Sequence, residues 1–570
     1  MKPPARRFNY QQCRRLLVTA GRQSSRRRSF LCATSAFSSP SPSIRGRGQA
    51  IPPAGSVAPF HSSARKLHDQ QQQEQQPAPP NPAPLQRRPT TAPKPVIDIR
   101  HIRENPELYA ANCRARNYPA AADYPRQIKE LFAQWQDHQR RGRGLREAAN
   151  RLRRQLTNPG DTSQSEPEPP SSPTPPPPPT RDTLLAEGRR IKAELSTIEE
   201  AEARLQAEMH VLALAIPNLT SPSTPAGDEP RVLTYINDHP EAATTTTSES
   251  GAAQAQSDRV WRSHVHIGSE LGLLDFAAAG ATSGWGWYYL LDEAAQLEQA
   301  LVSYALAAAT RSGWRQVSPP SVVYSHMAGA CGFQPRDANG ETQVYALAQS
   351  ADDAARGRPE LCLAGTSEIP LAAMKADATL DEAELPLKRV AVSRCYRAEA
   401  GARGANTKGL YRVHEFTKVE LFAWTAPDAA EAGDVFEEVV DFQTELLGSL
   451  GLHCRVLEMP AADLGASAWR KCDIEAFFPS RRDRNGGWGE LTSASICTDY
   501  QARRLATRVR FADKLDFPYT VNGTALAVPR VIAALLENGW DEADKSVAIP
   551  EVLRPWMDGR DKIGPRHHQL

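Results

Sequence analysis

Two stretches of this chain place apolar residues at steps of three and four, and a block of prolines stands between them. In the first, Ile128, Leu131 and Trp135 are followed, after weak positions at His138 and Gly142, by Leu145, Ala149, Leu152 and Leu156. In the second, Ile191, Leu195 and Ile198 precede a polar step at Glu202 and then Leu205, Met209, Leu212 and Ile216. Such spacing winds one apolar seam along an α-helix. Each stretch is long enough for a helix of about 50 Å at 1.5 Å rise per residue. Pro175 to Pro179 cannot continue a helix, because proline lacks the amide donor and clashes with the preceding turn. The chain therefore has to double back, and the two seams close on each other as an antiparallel hairpin with the proline-rich insertion, residues 157–182, at its tip.

Charge is unevenly distributed along the 570 residues. Residues 1–68 hold 13 Lys and Arg and no acid, so removing them from the formal net charge of +2 leaves −11 for the rest. An acid-free, Arg- and Ser-rich opening with interspersed Leu16, Leu17, Val18, Phe30 and Leu31 reads as a mitochondrial transit peptide. Residues 69–95 are Gln- and Pro-rich and read as a linker, and 238–258, with four consecutive Thr, as a second low-complexity connector. The first hairpin helix, Tyr124 to Leu156, carries nine Lys or Arg against three acids, including Arg140, Arg141 and Arg143. On charge alone this is a solvated coiled-coil face as readily as a polyanion site. Mean hydropathy is −0.51, and the most apolar stretch, Phe276 to Leu291, is too short and interrupted to span a bilayer, so no membrane partner is expected. The nine Cys include no Cys-x-x-Cys pair, which argues against a zinc site of paired ligands.

Residues 259–570 mix helical periods (Leu297 to Ala309, Val531 to Leu536) with short β-rich runs (Arg389 to Val392, Val419 to Trp424, Arg455 to Leu457), which predicts one α+β domain. Within it, Arg394-Cys-Tyr-Arg397-Ala-Glu399 and Gly409-Leu-Tyr-Arg412-Val413-His414-Glu-Phe416-Thr-Lys-Val-Glu420 flank a polar loop. Alternate positions 397 and 399 would share one face of a strand. Asn522-Gly-Thr524-Ala-Leu-Ala-Val-Pro-Arg530 puts an arginine in the first turn of a helix, where the dipole disfavours a cation and an anion is required. Glu490-Leu-Thr-Ser493 offers hard oxygen ligands suited to Mg²⁺ whose shell phosphates complete, and Thr366-Ser-Glu368 is a further polar cluster. No Walker loop is present.

Together these segments resemble class II aminoacyl-tRNA synthetases, and their order resembles the seryl-tRNA synthetases from about Val96 to Gly564. Gly313-Trp-Arg-Gln-Val-Ser-Pro-Pro320 looks like the dimer-forming first motif, the Arg397 segment like the second and Asn522 to Arg530 like the third. Cys497-Thr-Asp-Tyr-Gln-Ala-Arg-Arg504 and Ile549-Pro-Glu-Val-Leu-Arg-Pro555 resemble the seryl enzymes more narrowly. The resemblance implies an antiparallel-sheet class II catalytic domain, 259–570, preceded by an N-terminal antiparallel helical coiled-coil arm, 96–237, that grasps serine tRNA. It implies a homodimer that activates L-serine with ATP and Mg²⁺, in the mitochondrial matrix given the presequence. Arg397 and Arg530 would hold the α- and γ-phosphates, with Glu399, Val413 and Phe416 around the nucleotide and Glu490 and Ser493 on metal and phosphate. Thr366, Glu368, Glu420 and Thr524 would select serine. Arg140, Arg141 and Arg143 on the arm, with Arg403 and Lys408 in a loop that lacks the family's usual spelling, would touch tRNA. The competing readings are a catalytically inactive paralogue that binds RNA or protein, a class I synthetase suggested by His266-Ile-Gly-Ser269, which fails at its fourth letter, and a coiled-coil scaffold, which leaves the globular part unexplained.

Overall fold

The computed structural model describes residues 92–157, 180–238, 262–333, 343–399, 409–483, 485–511 and 513–565. The basic presequence, the linker up to residue 91, the arm-tip insertion from 158 to 179, the connector from 239 and the loop bearing Arg403 and Lys408 lie outside the described residues. The described residues include Pro93, just before the expected Val96, and it is buried.

The two seams form helices α1 (Tyr124–Thr157) and α2 (Arg181–Ala215), and Thr180 caps the second by accepting the Thr183 amide at 3.4 Å. They pair as the expected hairpin. The weak position at Gly142 lies in the contact between the helices and is buried: a Cβ there would lie 3.5 Å from Ile198 and 3.4 Å from the Glu202 carboxylate, ordinary packing distances, so the seam continues through it. The polar step at Glu202 is buried and accepts a hydrogen bond from Gln139. At the base, short helices Ile99–Glu104 and Pro106–Ala115 complete a core of Ile102, Cys113, Ile128, Met209, Ala213 and Ile216.

One eight-stranded sheet organises the rest. Its strands are β1 (Arg231–Ile236), β2 (Arg315–Val317), β3 (Leu387–Tyr396), β4 (Glu415–Thr425), β5 (Cys454–Glu458), β6 (Arg470–Phe477), β7 (Trp488–Thr498) and β8 (Tyr519–Ala527). Their order is β1-β5-β6-β7-β8-β4-β3-β2, antiparallel throughout except for β2 beside β3. Helices α3 (Glu293–Arg311), α4 (Ala429–Ser449) and α5 (Val528–Asn538) pack against it through Leu301, Phe436, Val439, Ile532 and Leu536, with Val419, Leu421, Ile474 and Val521 on the sheet. Each such side chain fully buried contributes about 1.5–3 kcal/mol. The antiparallel α+β expectation holds.

One boundary needs correcting. Residues 231–236, read as the end of the hairpin domain at 237, form the edge strand of the large sheet, because their backbone groups pair with Cys454–Glu458. The hairpin joins the sheet domain just before, through buried polar groups. Arg116 is 1% exposed, and its guanidinium donates to the carbonyls of Asn218 (2.7 Å), Leu219 (3.3 Å) and Gly465. The Asn218 side-chain amide donates to the carbonyls of Ser467 and Cys497, both at 2.9 Å, and its backbone N–H to Ala466 O at 2.9 Å. Burial pulls the Arg116 guanidinium down to about 10.

Candidate active site

A cavity of about 190 Å³ opens on the sheet, walled by Arg397 and Glu399 just beyond β3, by β4, β7 and β8, by the first turn of α5 and by Gly465, Ser467 and Ala468. Arg397 and Arg530, 133 positions apart, both line it. So do Thr366, Glu368, Glu399, Val413, Phe416, Glu420, Glu490, Ser493 and Thr524, which gathers every candidate of the catalytic domain that lies in a described segment.

Arg530 sits in the first turn of α5, as expected, and its anion within the protein is Glu490 at 3.3 Å. The same guanidinium donates to the carbonyls of Tyr411 (3.2 Å) and Glu490 (3.1 Å), which fixes it across the cavity floor. Burial works against a charge on Glu490, but Arg530, Lys471 and Arg397 outweigh it and hold the carboxyl at about 2. Glu490 and Ser493 are an odd number of residues apart, so a regular strand would turn them to opposite faces. A bulge removes the conflict. Glu490 stands opposite Glu475 and Thr492 opposite Ile474, leaving Leu491 as the extra residue, so Glu490, Ser493 and Ser495 all face the cavity while Leu491 and Thr492 are buried.

The pairing of 397 and 399 on a strand is not what the structure has. β3 ends at Tyr396, and Arg397 continues only through its N–H to His414 O at 2.9 Å. Glu399 adopts a left-handed φ of +46°, a strained conformation for a residue with a Cβ, and lies 3.8 Å from Arg412. Both side chains still reach the cavity. The Arg397 guanidinium lies 5.2 Å from the centre of the Phe416 ring, which is buried with Cys395 and Val413.

At the other end of the cavity, charge is buried almost completely. Glu420 is 1% exposed, 2.7 Å from the Lys418 ammonium, and accepts the Thr524 hydroxyl at 3.0 Å. Glu368 accepts from the Gln501 amide at 2.6 Å, and its backbone N–H donates to the Thr366 hydroxyl at 3.2 Å. Burial, with Glu420 next, pushes the Glu368 carboxyl up to about 7. Lys418, Lys471 and Gln501 were missed as site residues. A signal existed for the first: Lys418 and Glu420 are two apart in a β-rich run, so both point to one face.

On the arm, Arg140, Arg141 and Arg143 are exposed, the first paired with Asp137 and the second 4.0 Å from Glu194. The His266-Ile-Gly-Ser269 match falls in a short helix, His264–Glu270, outside the cavity. Gly268 is there because a Cβ would collide with Leu274 at 2.4 Å. Among the described residues no helix is long and apolar enough to cross a membrane.

Comparison with known proteins agrees with this architecture. Residues 96–220 match the seryl-tRNA synthetase N-terminal domain, and 351–539 match the class II core domain of the Gly, His, Pro, Ser and Thr tRNA synthetases. The chain is 42% identical over 377 residues to the mitochondrial serine–tRNA ligase of Saccharomyces cerevisiae, covering 65% of this chain and 78% of that one. It is 36% identical over 463 residues to the mitochondrial enzyme of Schizosaccharomyces pombe, covering 81% and 88%. Among solved structures, the seryl-tRNA synthetase of Pyrococcus horikoshii complexed with ATP superposes with a TM-score of 0.70 at 31% identity, over 83% of this chain and all of that one. With an arm, a class II sheet and a cavity gathering the matching motifs, this chain belongs to the seryl-tRNA synthetase family and is a serine–tRNA ligase.

Proposed function

We propose that the cavity is where L-serine and ATP form seryl-adenylate before transfer to serine tRNA, and that Arg397 and Arg530 hold the triphosphate between them. The observation carrying this reading is that two guanidinium groups far apart in sequence line one small cavity together with Glu490. A serine carboxylate oxygen attacks the α-phosphorus, the bond to the β-phosphate oxygen breaks and pyrophosphate leaves. The terminal ribose hydroxyl of the tRNA then takes the acyl group and AMP departs. Neither step needs a protein nucleophile. The protein supplies position and fixed positive charge, worth most where water is excluded. Arg397 meets the α-phosphate, Arg530 the γ-phosphate, Phe416 and Val413 the adenine, and Glu399 orients the nucleotide.

The donor set at Glu490 and Ser493 fits Mg²⁺: one ionised carboxylate and one hydroxyl on the same face, both hard oxygens. Among the described residues no group of three or more His, Cys, Asp or Glu could hold a metal alone, which suits an ion that shares its shell with phosphates. Bound there, it would neutralise phosphate charge.

The two buried carboxylates divide the amino acid between them. Glu420 is already balanced by Lys418 and Thr524, a set suited to a hydroxyl, whereas Glu368 has only neutral hydrogen-bond partners and is the carboxylate left for an ammonium. Alanine lacks the hydroxyl that this polar set is placed to bind, and a site built to hydrogen-bond a hydroxyl rejects the analogue without it by ~10⁴ or more.

The homodimer is supported by exposed apolar residues just beyond the first motif. Val322, Tyr324 and Leu361, each close to 40% exposed, lie on a strand pair beside Gly313–Pro320. The arm's basic helix suits tRNA phosphates, with Arg140, Arg141 and Arg143 among the contacts and Arg403 and Lys408 at the acceptor end. The presequence and the mitochondrial names of the two yeast relatives support action in the mitochondrial matrix. The test is serine-dependent ATP–pyrophosphate exchange by the protein from residue 69 onward, against a panel of amino acids. Exchange with serine above the rest is expected; a folded protein with none favours the inactive paralogue.

A further inference from the structure

Gln501 touches none of the proposed substrates, yet it is fully buried and holds two short hydrogen bonds in series. Its amide donates to Glu368 Oε1 at 2.6 Å, and its carbonyl accepts the Thr520 hydroxyl at 2.8 Å. With the carbonyl committed to Thr520, the amide is turned with its N–H toward Glu368. Gln501 belongs to the short helix Tyr500–Leu505 and Thr520 to β8, so two elements fix one donor.

We infer that Gln501 is the positioning residue that keeps Glu368 ionised and correctly aimed to receive the ammonium of serine, with Thr520 setting the orientation of its amide. This rests on the reading of Glu368 given above. The need for such a residue follows from what surrounds the carboxylate. Glu420 faces it and disfavours its charge, and Lys418 on the same strand favours it but is engaged by Glu420 at 2.7 Å. Arg397 favours it from beyond the end of β3. The thiols of Cys331 and Cys497, also near it, are pushed up by burial and stay neutral. Burial dominates, so the carboxyl sits at about 7 even with the Gln501 donor in place. A donor to a carboxylate favours the charged form, so removing it raises the carboxyl further and the ionised fraction at neutral pH falls.

The test is the pH profile of kcat/KM for serine in pyrophosphate exchange between pH 6 and 8.5, for the wild type, Gln501→Leu and Thr520→Val. In the wild type an acid limb falls away below about pH 7. In Gln501→Leu the limb moves up. Activity toward serine at pH 7 drops roughly ten- to a hundredfold, the usual worth of a hydrogen bond to a charged group, and recovers toward pH 8.5 while KM for ATP is unchanged. Thr520→Val, which leaves the amide but frees it to turn, gives a smaller shift in the same direction and covers the case in which the leucine variant does not fold. An acid limb at the same pH in the variants, or a loss equal at every pH, overturns the inference. A wild type with no serine-dependent exchange overturns the assignment of the site instead.

Discussion

Arg530→Met is the sharpest perturbation of the proposed chemistry. It removes the cation 3.3 Å from Glu490 and the two donors to the carbonyls of Tyr411 and Glu490 while keeping a side chain of similar length. The fold should survive. The guanidinium is 23% exposed at the cavity, so water reaches the two freed carbonyls and the cost is about 1–2 kcal/mol. Catalysis should not survive. A preorganised donor aimed at developing charge is worth roughly 10²–10³ in rate, or about 2.7–4 kcal/mol of barrier. There is also an electrostatic signature. Arg530 is the largest of the influences that hold Glu490 low, so in the variant that carboxyl titrates at higher pH. The sign follows from the depressed value in the wild type. The stabilisation is present above the ordinary carboxylate range and is lost only as pH falls toward about 2, whereas in the variant less of it exists to lose. Exchange kinetics at pH 7.5 and a denaturation midpoint measured in parallel decide the matter. Exchange within about fivefold of wild type in a folded variant would refute the role of Arg530 in holding triphosphate.

Three further outcomes are expected. Shortening the hairpin between residues 136 and 204, which keeps Ile128, Met209 and the rest of the basal core, should spare pyrophosphate exchange and reduce tRNA charging at least a hundredfold; undiminished charging would remove the arm from tRNA recognition. Replacing Arg140, Arg141 and Arg143 by Ala together should weaken tRNA binding and flatten its salt dependence by about one unit of log–log slope for each phosphate no longer neutralised, measured by filter binding, with exchange unchanged. Asn218→Ala leaves the carbonyls of Ser467 and Cys497 without their donor, and chemical denaturation should register a loss of about 2–4 kcal/mol.

The parts of this molecule legible in its sequence are those set by local spacing. The seams of α1 and α2 follow from steps of three and four, and their ends fall within a residue or two of the expected ones, because proline and a Thr cap are local stops. The cavity was legible residue by residue through the resemblance of its motifs. What escaped depends on partners distant in the chain. The bulge at Leu491 exists only relative to β6, so no inspection of Glu490 to Ser493 alone reveals why both face the same way. The hexapeptide Arg231–Ile236 becomes a sheet edge only because Cys454–Glu458 offers a free side. Gln501 reads as an ordinary polar helix residue until Glu368, 133 positions earlier, is found 2.6 Å away. Arg397 and Glu399 were expected on one strand face and instead follow its end, since the backbone after Tyr396 turns to bond His414 and Gln343.

The lattice formed by Arg116 and Asn218 bears on modularity. Gly465, Ser467 and Ala468 wall the cavity, and the neighbouring carbonyls are satisfied by donors from the other half of the protein. The catalytic half is thus not a self-sufficient cassette. Separating the halves takes the Gly465 carbonyl from Arg116 on one side and bares the carbonyls of Gly465, Ser467 and Cys497 on the other. A graft of this hairpin onto a foreign core would have to carry residues 112–118 and 216–220 as part of the recipient, and the usable splice points lie further out along the hairpin.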